Sequence, residues 1–212
     1  MTVLAVLSLF ISGTTNALEE ERAPISEPVM VIEASEADVA YNVGVKNYHY
    51  NYAYALKWFR RAADLSSAEG QYFMGAAHEW GVGLKQDYAQ ALKWYRLSAE
   101  QQNKNGQYGL GSLYARGRGV EQDYTEAIKW YTLSAEQGVR NAQSELGRLL
   151  LEVKVGEKNY EDAYFWLSLA AQEKDEAREK RDEVLRHLTD EQVNNIHMRL
   201  KNWAEEHPPH LE

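Results

Sequence analysis

Cysteine is absent from the chain. Disulfides, thiol nucleophiles and zinc sites built on cysteine are therefore excluded. The chain also lacks a basic excess, since 23 Lys and Arg stand against 32 Asp and Glu, which gives a net charge of −9. Because contacts to phosphate require clustered Lys and Arg, this balance argues against nucleic acid as a partner.

The apolar run from Val3 to Ile11 is too short to span a bilayer, which takes roughly 20 residues. It is followed by Thr15-Asn16-Ala17, which resembles a signal-peptide cleavage site. We therefore predict a signal peptide over residues 1–17 and a periplasmic or secreted protein with no stable membrane anchor after cleavage. The alternative is a buried N-terminal helix in a cytoplasmic protein. Residues 18–36 are predicted to form an acidic, proline-containing linker.

What the chain does contain is an internal repeat. Trp58, Trp94, Trp130 and Trp166 are each separated by 36 residues, and alanines and tyrosines follow the same period. Residues 68–103 and 104–139 share 18 of 36 positions without a gap. Identity of this extent at a fixed period indicates a stacked array of repeats.

Each repeat is predicted to be a pair of antiparallel helices. The first helix carries a glycine in its middle, Gly75 or Gly111, where a neighbouring helix is expected to approach too closely for a side chain. Gly81 and Gly117 follow and suit the left-handed end of a helix. Asp87 and its equivalents then cap the second helix. The predicted fold class is all-α, an α/α superhelical solenoid of stacked antiparallel helix hairpins.

The motifs Gly-Gln-Tyr-x-x-Gly, Gly-x-Gly, Asp-Tyr-x-x-Ala-x-Lys-Trp-Tyr and Ser-Ala-Glu-Gln resemble the Sel-one-like repeat, a relative of the tetratricopeptide repeat. The resemblance covers four repeats, and the flanking two depart from the pattern, as terminal units do. We place the repeats at about 37–67, 68–103, 104–139 and 140–172. A C-terminal capping helix pair over 173–206 and a flexible tail over 207–212 are predicted to follow. The first helix of this pair is predicted to turn Ala177, Val184, Leu185 and Leu188 inward. The second is predicted to begin with a capping box between Thr189 and Gln192 and to have an apolar face formed by Val193, Ile196, Leu200 and Trp203.

No pattern in the sequence supports catalysis. The six histidines are scattered, no His-Glu-x-x-His spacing occurs, and no serine is followed three residues later by lysine. We therefore predict no enzyme activity, no metal and no cofactor. Cysteine-rich Sel-one-like proteins have been linked to β-lactam binding or hydrolysis, so a cell-wall or β-lactam hydrolase is the alternative.

The resemblance implies a scaffold that binds a protein or peptide through a concave groove lined by the first helices. Residues repeated in every unit are expected to pack, so positions that differ between units are the candidates for recognition. The alternative is that Phe73 and Trp80 merely fill the contact with the shortened first repeat. A host-directed virulence or signalling adaptor is a further functional alternative. The predicted partner-binding residues are Phe73, Ala77, Trp80, Leu113, Arg116, Glu145, Glu152, Tyr48 and Tyr50.

Overall fold

A computed structural model describes residues 35–152, 158–172 and 174–208. This part of the chain contains ten α-helices and no strand, which confirms the predicted all-α class. The predicted signal peptide, most of the linker and the last residues of the tail lie outside it. The helices are α1 (Glu36–Asn47), α2 (Tyr52–Asp64), α3 (Ala68–Trp80), α4 (Tyr88–Glu100), α5 (Lys104–Arg116), α6 (Tyr124–Glu136), α7 (Arg140–Leu149), α8 (Tyr160–Ala170), α9 (Asp175–Leu185) and α10 (Asp190–Glu206).

The helices pack in chain order as four hairpins, α1–α2, α3–α4, α5–α6 and α7–α8, followed by the pair α9–α10. Each helix from α1 to α8 packs on the next one along the chain, and α10 packs on α8. The predicted solenoid of stacked helix hairpins is therefore confirmed.

A glycine in the first helix of each repeat allows close contact with the second helix. A Cβ atom added to Gly75 would lie 2.5 Å from Cδ1 of Tyr95, and one added to Gly111 would lie 2.8 Å from Cδ1 of Tyr131. Real Cβ atoms do not approach other carbons so closely. The predicted close approach is confirmed, and it recurs in the outer repeats between Gly44 and Phe59 and between Gly147 and Leu167.

The helix ends follow the sequence signals. Asp87 and Asp123 each accept a hydrogen bond from the backbone N–H three residues later, which satisfies an otherwise free donor of the first turn. Gly81 and Gly117 end α3 and α5 with φ of 66° and 63°, the left-handed conformation that favours glycine.

Hydrogen bonds from the repeated Ser-Ala-Glu-Gln motif tie the two helices of a repeat together. Ser98 Oγ donates to the carbonyl of Ala68 at 2.7 Å, and Ser134 makes the equivalent bond at 2.7 Å. The side chains of Gln101 and Gln137 each donate to a glutamine of the first helix, again at 2.7 Å. This motif therefore fixes the end of the second helix against the start of the first.

Contacts between repeats explain the tyrosines that begin the second helices α2 and α4. The turn glycine Gly83 lies against Tyr52 of the preceding repeat, and Gly119 lies against Tyr88. A Cβ atom added to Gly119 would stand 2.5 Å from the Tyr88 carbonyl oxygen. The turn of one repeat thus packs on the second helix of the repeat before it.

The C-terminal pair covers the last hairpin. Thr189 and Gln192 form the predicted capping box, with both hydrogen bonds present. Val184 and Ile196 are buried, as predicted, but Leu185 is 40% exposed and the prediction that it faces inward is wrong. Adjacent residues in a helix point about 100° apart, so Leu185 lies to one side of the face that buries Val184 and stays partly open to solvent.

Candidate protein-binding surface

The side of the array formed by α1, α3, α5 and α7 is called here the first-helix face. In the centre of the array α3 packs directly on α5, and within the described residues no two second helices pack to the same extent. The first helices of these two repeats therefore lie closer together than their second helices do.

Four of the predicted binding residues are accessible. Trp80 is 61% exposed, although it is an aromatic residue in a well-packed array, and Arg116 is exposed at the equivalent end of α5. Tyr50 is 91% exposed and Tyr48 is 39% exposed, both in the short turn before α2. These side chains could contact a partner without any rearrangement of the core.

Ala77 and Leu113 are buried, and their prediction as binding residues is wrong. They are 1% and 0% exposed. Ala77 packs in the same cluster as Met74, whereas Leu113 packs with Tyr95 in the next cluster along. Their position is apolar in successive repeats because it belongs to the interior.

Phe73 is engaged in packing, as the alternative interpretation expected. Its ring stacks on Phe59 with centroids 4.2 Å apart and planes 6° from parallel. The rings of Tyr41 and Tyr48 lie 6.0 and 5.8 Å from it. An aromatic cluster of this kind supplies the contact between the shortened first repeat and the second.

Glu145 and Glu152 both lie against Arg148 on α7. Arg148 Nε donates to Glu145 Oε2 at 3.0 Å, and its Nη1 contacts Glu152 Oε1. Burial lowers the pKa of Arg148, but the two carboxylates outweigh it and raise that pKa overall. Both acids are therefore partly neutralised before any partner arrives.

A column of half-buried tyrosines on the first-helix face was not predicted. Tyr72 and Tyr108 occupy equivalent positions on α3 and α5, and each packs on the tyrosine of its own second helix, with centroids 6.0 and 5.7 Å apart. Burial raises the pKa of both, so their hydroxyls stay neutral and can donate or accept a hydrogen bond. Tyr72 directly precedes Phe73 in the sequence and recurs as Tyr108. Because aromatic residues that recur are predicted to pack, the sequence did not indicate a binding role for either.

A buried carboxylate is a second feature that the sequence pattern did not predict. Glu79 is 3% exposed, accepts from the Tyr95 hydroxyl at 2.9 Å and lies 3.5 Å from Nη1 of Arg118. Arg118 belongs to the next repeat, and its guanidinium lies 5.3 Å from the ring centre of Tyr88. The sequence did contain an indication: Glu79 is acidic, whereas the equivalent positions of the next two repeats are the apolar Ala115 and Leu151. This network joins the second repeat to the third.

Nothing in the described ranges suggests a metal centre or a membrane span. Among those residues no group of three or more His, Asp and Glu is placed to hold a metal ion. No described helix is long and apolar enough to cross a bilayer.

The chain belongs to the Sel1 repeat family. The family model matches four consecutive segments, residues 37–67, 68–103, 104–139 and 141–175, and so confirms the resemblance drawn from the motifs. Proteins of this family are typically non-catalytic repeat scaffolds that bind protein partners.

Solved structures share the fold. A protective antigen of uropathogenic Escherichia coli with an SLR fold superposes with a TM-score of 0.71 at 24% identity, over 82% of this chain and 38% of that one. A Sel1 repeat protein from Oxalobacter formigenes superposes with a TM-score of 0.58 at 29% identity, over 64% of this chain and 56% of that one. The chain thus spans 38% and 56% of these two structures. No curated protein matches it.

Proposed function

We propose that this protein is a non-enzymatic scaffold, exported to the periplasm or secreted, that binds a protein or peptide through its first-helix face. The observation that carries the proposal is the 61% exposure of Trp80 beside the exposed Arg116. Trp and Arg are the side chains most often found at the energetic centres of protein interfaces. Export rests on the apolar run before Ser12 and its small-residue cleavage pattern.

The spacing of these residues suits an extended or helical peptide. Trp80 and Arg116 end equivalent helices, and packed helices lie roughly 8–10 Å apart. A peptide crossing the face can therefore meet the indole and the guanidinium together. The neutral hydroxyls of Tyr72 and Tyr108 lie on the same two helices and offer hydrogen bonds to its backbone.

Site-specific photocrosslinking tests the binding surface. A photoreactive amino acid is placed at Trp80 in the exported full-length chain, and covalent adducts are identified by mass spectrometry. The matched control carries the same group at Tyr54, which is 43% exposed but lies on the second helix α2. A discrete adduct at position 80 that is missing at position 54 supports the proposal. Equal labelling at both positions would contradict it.

Cell fractionation tests the export proposal separately. Wild-type protein is expected in the periplasmic or culture fraction, and deletion of residues 3–11 should retain the protein in the cytoplasm. Wild-type protein found in the cytoplasm would overturn the proposed localisation. The photocrosslinking experiment would still test the binding surface independently.

A further inference from the structure

Trp94 on α4 carries a buried hydrogen-bond donor that has no acceptor. Its side chain is 9% exposed, and Nε1 has no partner among the described residues. Nδ1 of His78, a residue of the preceding helix α3, is likewise buried without a partner there. Buried polar groups are nearly always paired, so each such atom calls for a physical explanation.

The next repeat shows how the same position is satisfied. Nε1 of Trp130, the equivalent of Trp94, donates to Glu126 Oε2 at 3.1 Å. Glu126 is also paired with Lys129, whose Nζ lies 3.3 Å from Oε1. In the second repeat Lys93 is retained, but Gln90 stands where Glu126 would be. The donor and the cation are thus kept while the internal carboxylate is missing.

Two cations border the unpaired indole. Lys93 Nζ lies 5.8 Å from the Trp94 ring centre, and Cζ of Arg60, which projects from α2 of the first repeat, lies 6.0 Å from it. Neither cation forms an ion pair with an acid of the described chain. The equivalent of Arg60 in the next repeat, Arg96, donates instead to a tyrosine hydroxyl. Within the described residues, Trp94 therefore has two unpaired cations beside it and an indole N–H without an acceptor, whereas the indole N–H of Trp130 is paired with a carboxylate.

No other titratable group nearby neutralises the positive charge of Lys93 and Arg60 within the described chain. Asp87 is the acid that acts on His78, but its carboxylate already accepts from the Gln90 backbone N–H at 3.0 Å. Burial and the adjacent Arg60 lower the pKa of His78, so its ring is neutral at pH 7. Lys57 adds a further positive charge on α2.

An apolar pocket adjoins the cations. A surface depression of about 480 Å³ lies between α2 and the turn that precedes α4, and Leu56 and Leu84 form its apolar lining beside Lys57 and Arg60. Leu84 packs in the same cluster as Trp94. A ligand that places an apolar side chain in the pocket can thus bring a neighbouring carboxylate to Arg60 and Trp94.

We propose that this cluster is a binding site for an acidic segment of a partner protein, in which a Glu or Asp side chain is followed by an apolar residue. The carboxylate accepts from Trp94 Nε1 and pairs with Lys93 and Arg60, while the apolar side chain fills the pocket. Gln90 and Lys93 are exposed and make no side-chain hydrogen bond within the described chain, so they are free to swing aside and admit it. The site lies on the second helices α2 and α4 and on the turn before α4, and it is separate from the first-helix face.

The indole N–H resonances of the ¹⁵N-labelled full chain report on the site directly. The probes are acetyl-Gly-Glu-Leu-Gly-amide and its Gln counterpart, and Trp94→Phe assigns the resonance. We expect the Glu peptide to shift the Trp94 indole signal and the Gln peptide to leave it unchanged. The Trp130 signal should not move with either peptide, because the Trp130 indole N–H already donates to Glu126.

Matched variants separate a carboxylate site from general electrostatic attraction. Gln90→Glu supplies an internal carboxylate and should abolish the response. Lys93→Gln should weaken peptide binding about tenfold, the effect of losing one charge-assisted contact, whereas Lys129→Gln in the next repeat should leave it unchanged. Trp80→Ala should also leave binding of the Glu peptide unchanged. A negative result at Trp94 would therefore not bear on the proposed first-helix face. No shift of the Trp94 signal, equal shifts by both peptides, or an unaffected response in Gln90→Glu would overturn the proposal.

Discussion

Replacing Gly75 by alanine tests the packing that holds each hairpin together. In an ordinary helix interior this change stabilises a protein by about 1 kcal/mol, because glycine is the poorer helix former. Here the new Cβ would lie 2.5 Å from the Tyr95 ring. The ring cannot turn away freely, since its hydroxyl donates to the buried Glu79 at 2.9 Å. Overpacking of this kind typically costs about 1–3 kcal/mol. Because the Tyr95 ring is held, we expect a cost in the upper half of that range, which leaves a net loss of about 1–2 kcal/mol after the gain in helix propensity.

Equilibrium unfolding in urea, followed by far-ultraviolet circular dichroism, measures this change. The control is Asn194→Ala on the exposed side of α10, which should alter the free energy of unfolding by less than about 0.5 kcal/mol. A Gly75→Ala protein as stable as wild type, or more stable, would refute the reasoning, because helix propensity would then outweigh the contact with Tyr95.

Three further predictions concern stability. Gln90→Glu should raise the free energy of unfolding by about 0.5–1 kcal/mol because it gives Trp94 Nε1 an acceptor, and Glu126→Gln should lower it by a similar amount. Urea unfolding in which both variants change stability in the same direction would contradict this. Glu79→Ala should cost about 2–4 kcal/mol because it leaves the Tyr95 hydroxyl buried without an acceptor, and a loss below about 0.5 kcal/mol would show that the network is dispensable. Burial raises the pKa of Tyr95 in the folded chain, so the folded state holds a proton that the unfolded state releases above pH about 10. Stability should therefore be full below pH 10 and fall as the pH rises further, and Tyr95→Phe should flatten that fall; an unchanged profile in the variant would contradict the assignment.

The repeat period made most of the fold predictable. A glycine recurring in mid-helix has a local cost, so its recurrence pointed to a contact, and Gly75 and Gly111 do meet aromatic rings of the second helix. The apolar side chain of Leu185 predicts burial by residue type alone, but the turn of the helix carries it to one side of the buried face, and it is 40% exposed.

The candidate surface was harder to predict. Ala77 and Leu113 differ between repeats, which favours a role in recognition, yet both are apolar, and that shared property indicates the core in which they are buried. Tyr72 and Tyr108 recur between repeats, which predicts a packing role alone, although a tyrosine can pack with its ring and still present its hydroxyl. The contact between Glu79 and Arg118 joins residues 39 positions apart and occurs once in the described chain, so no period announces it.

The central claim is that an exposed side chain that does not recur between repeats serves recognition and not cohesion on the first-helix face, and Trp80 tests it most directly. The affinity of Trp80→Ala for the partner crosslinked at that position should fall at least about tenfold, as expected for loss of an interface hot spot. The free energy of unfolding should change by less than about 0.5 kcal/mol, because the side chain is 61% exposed. Unchanged affinity in a protein destabilised by the substitution would show that Trp80 serves packing and would contradict the account.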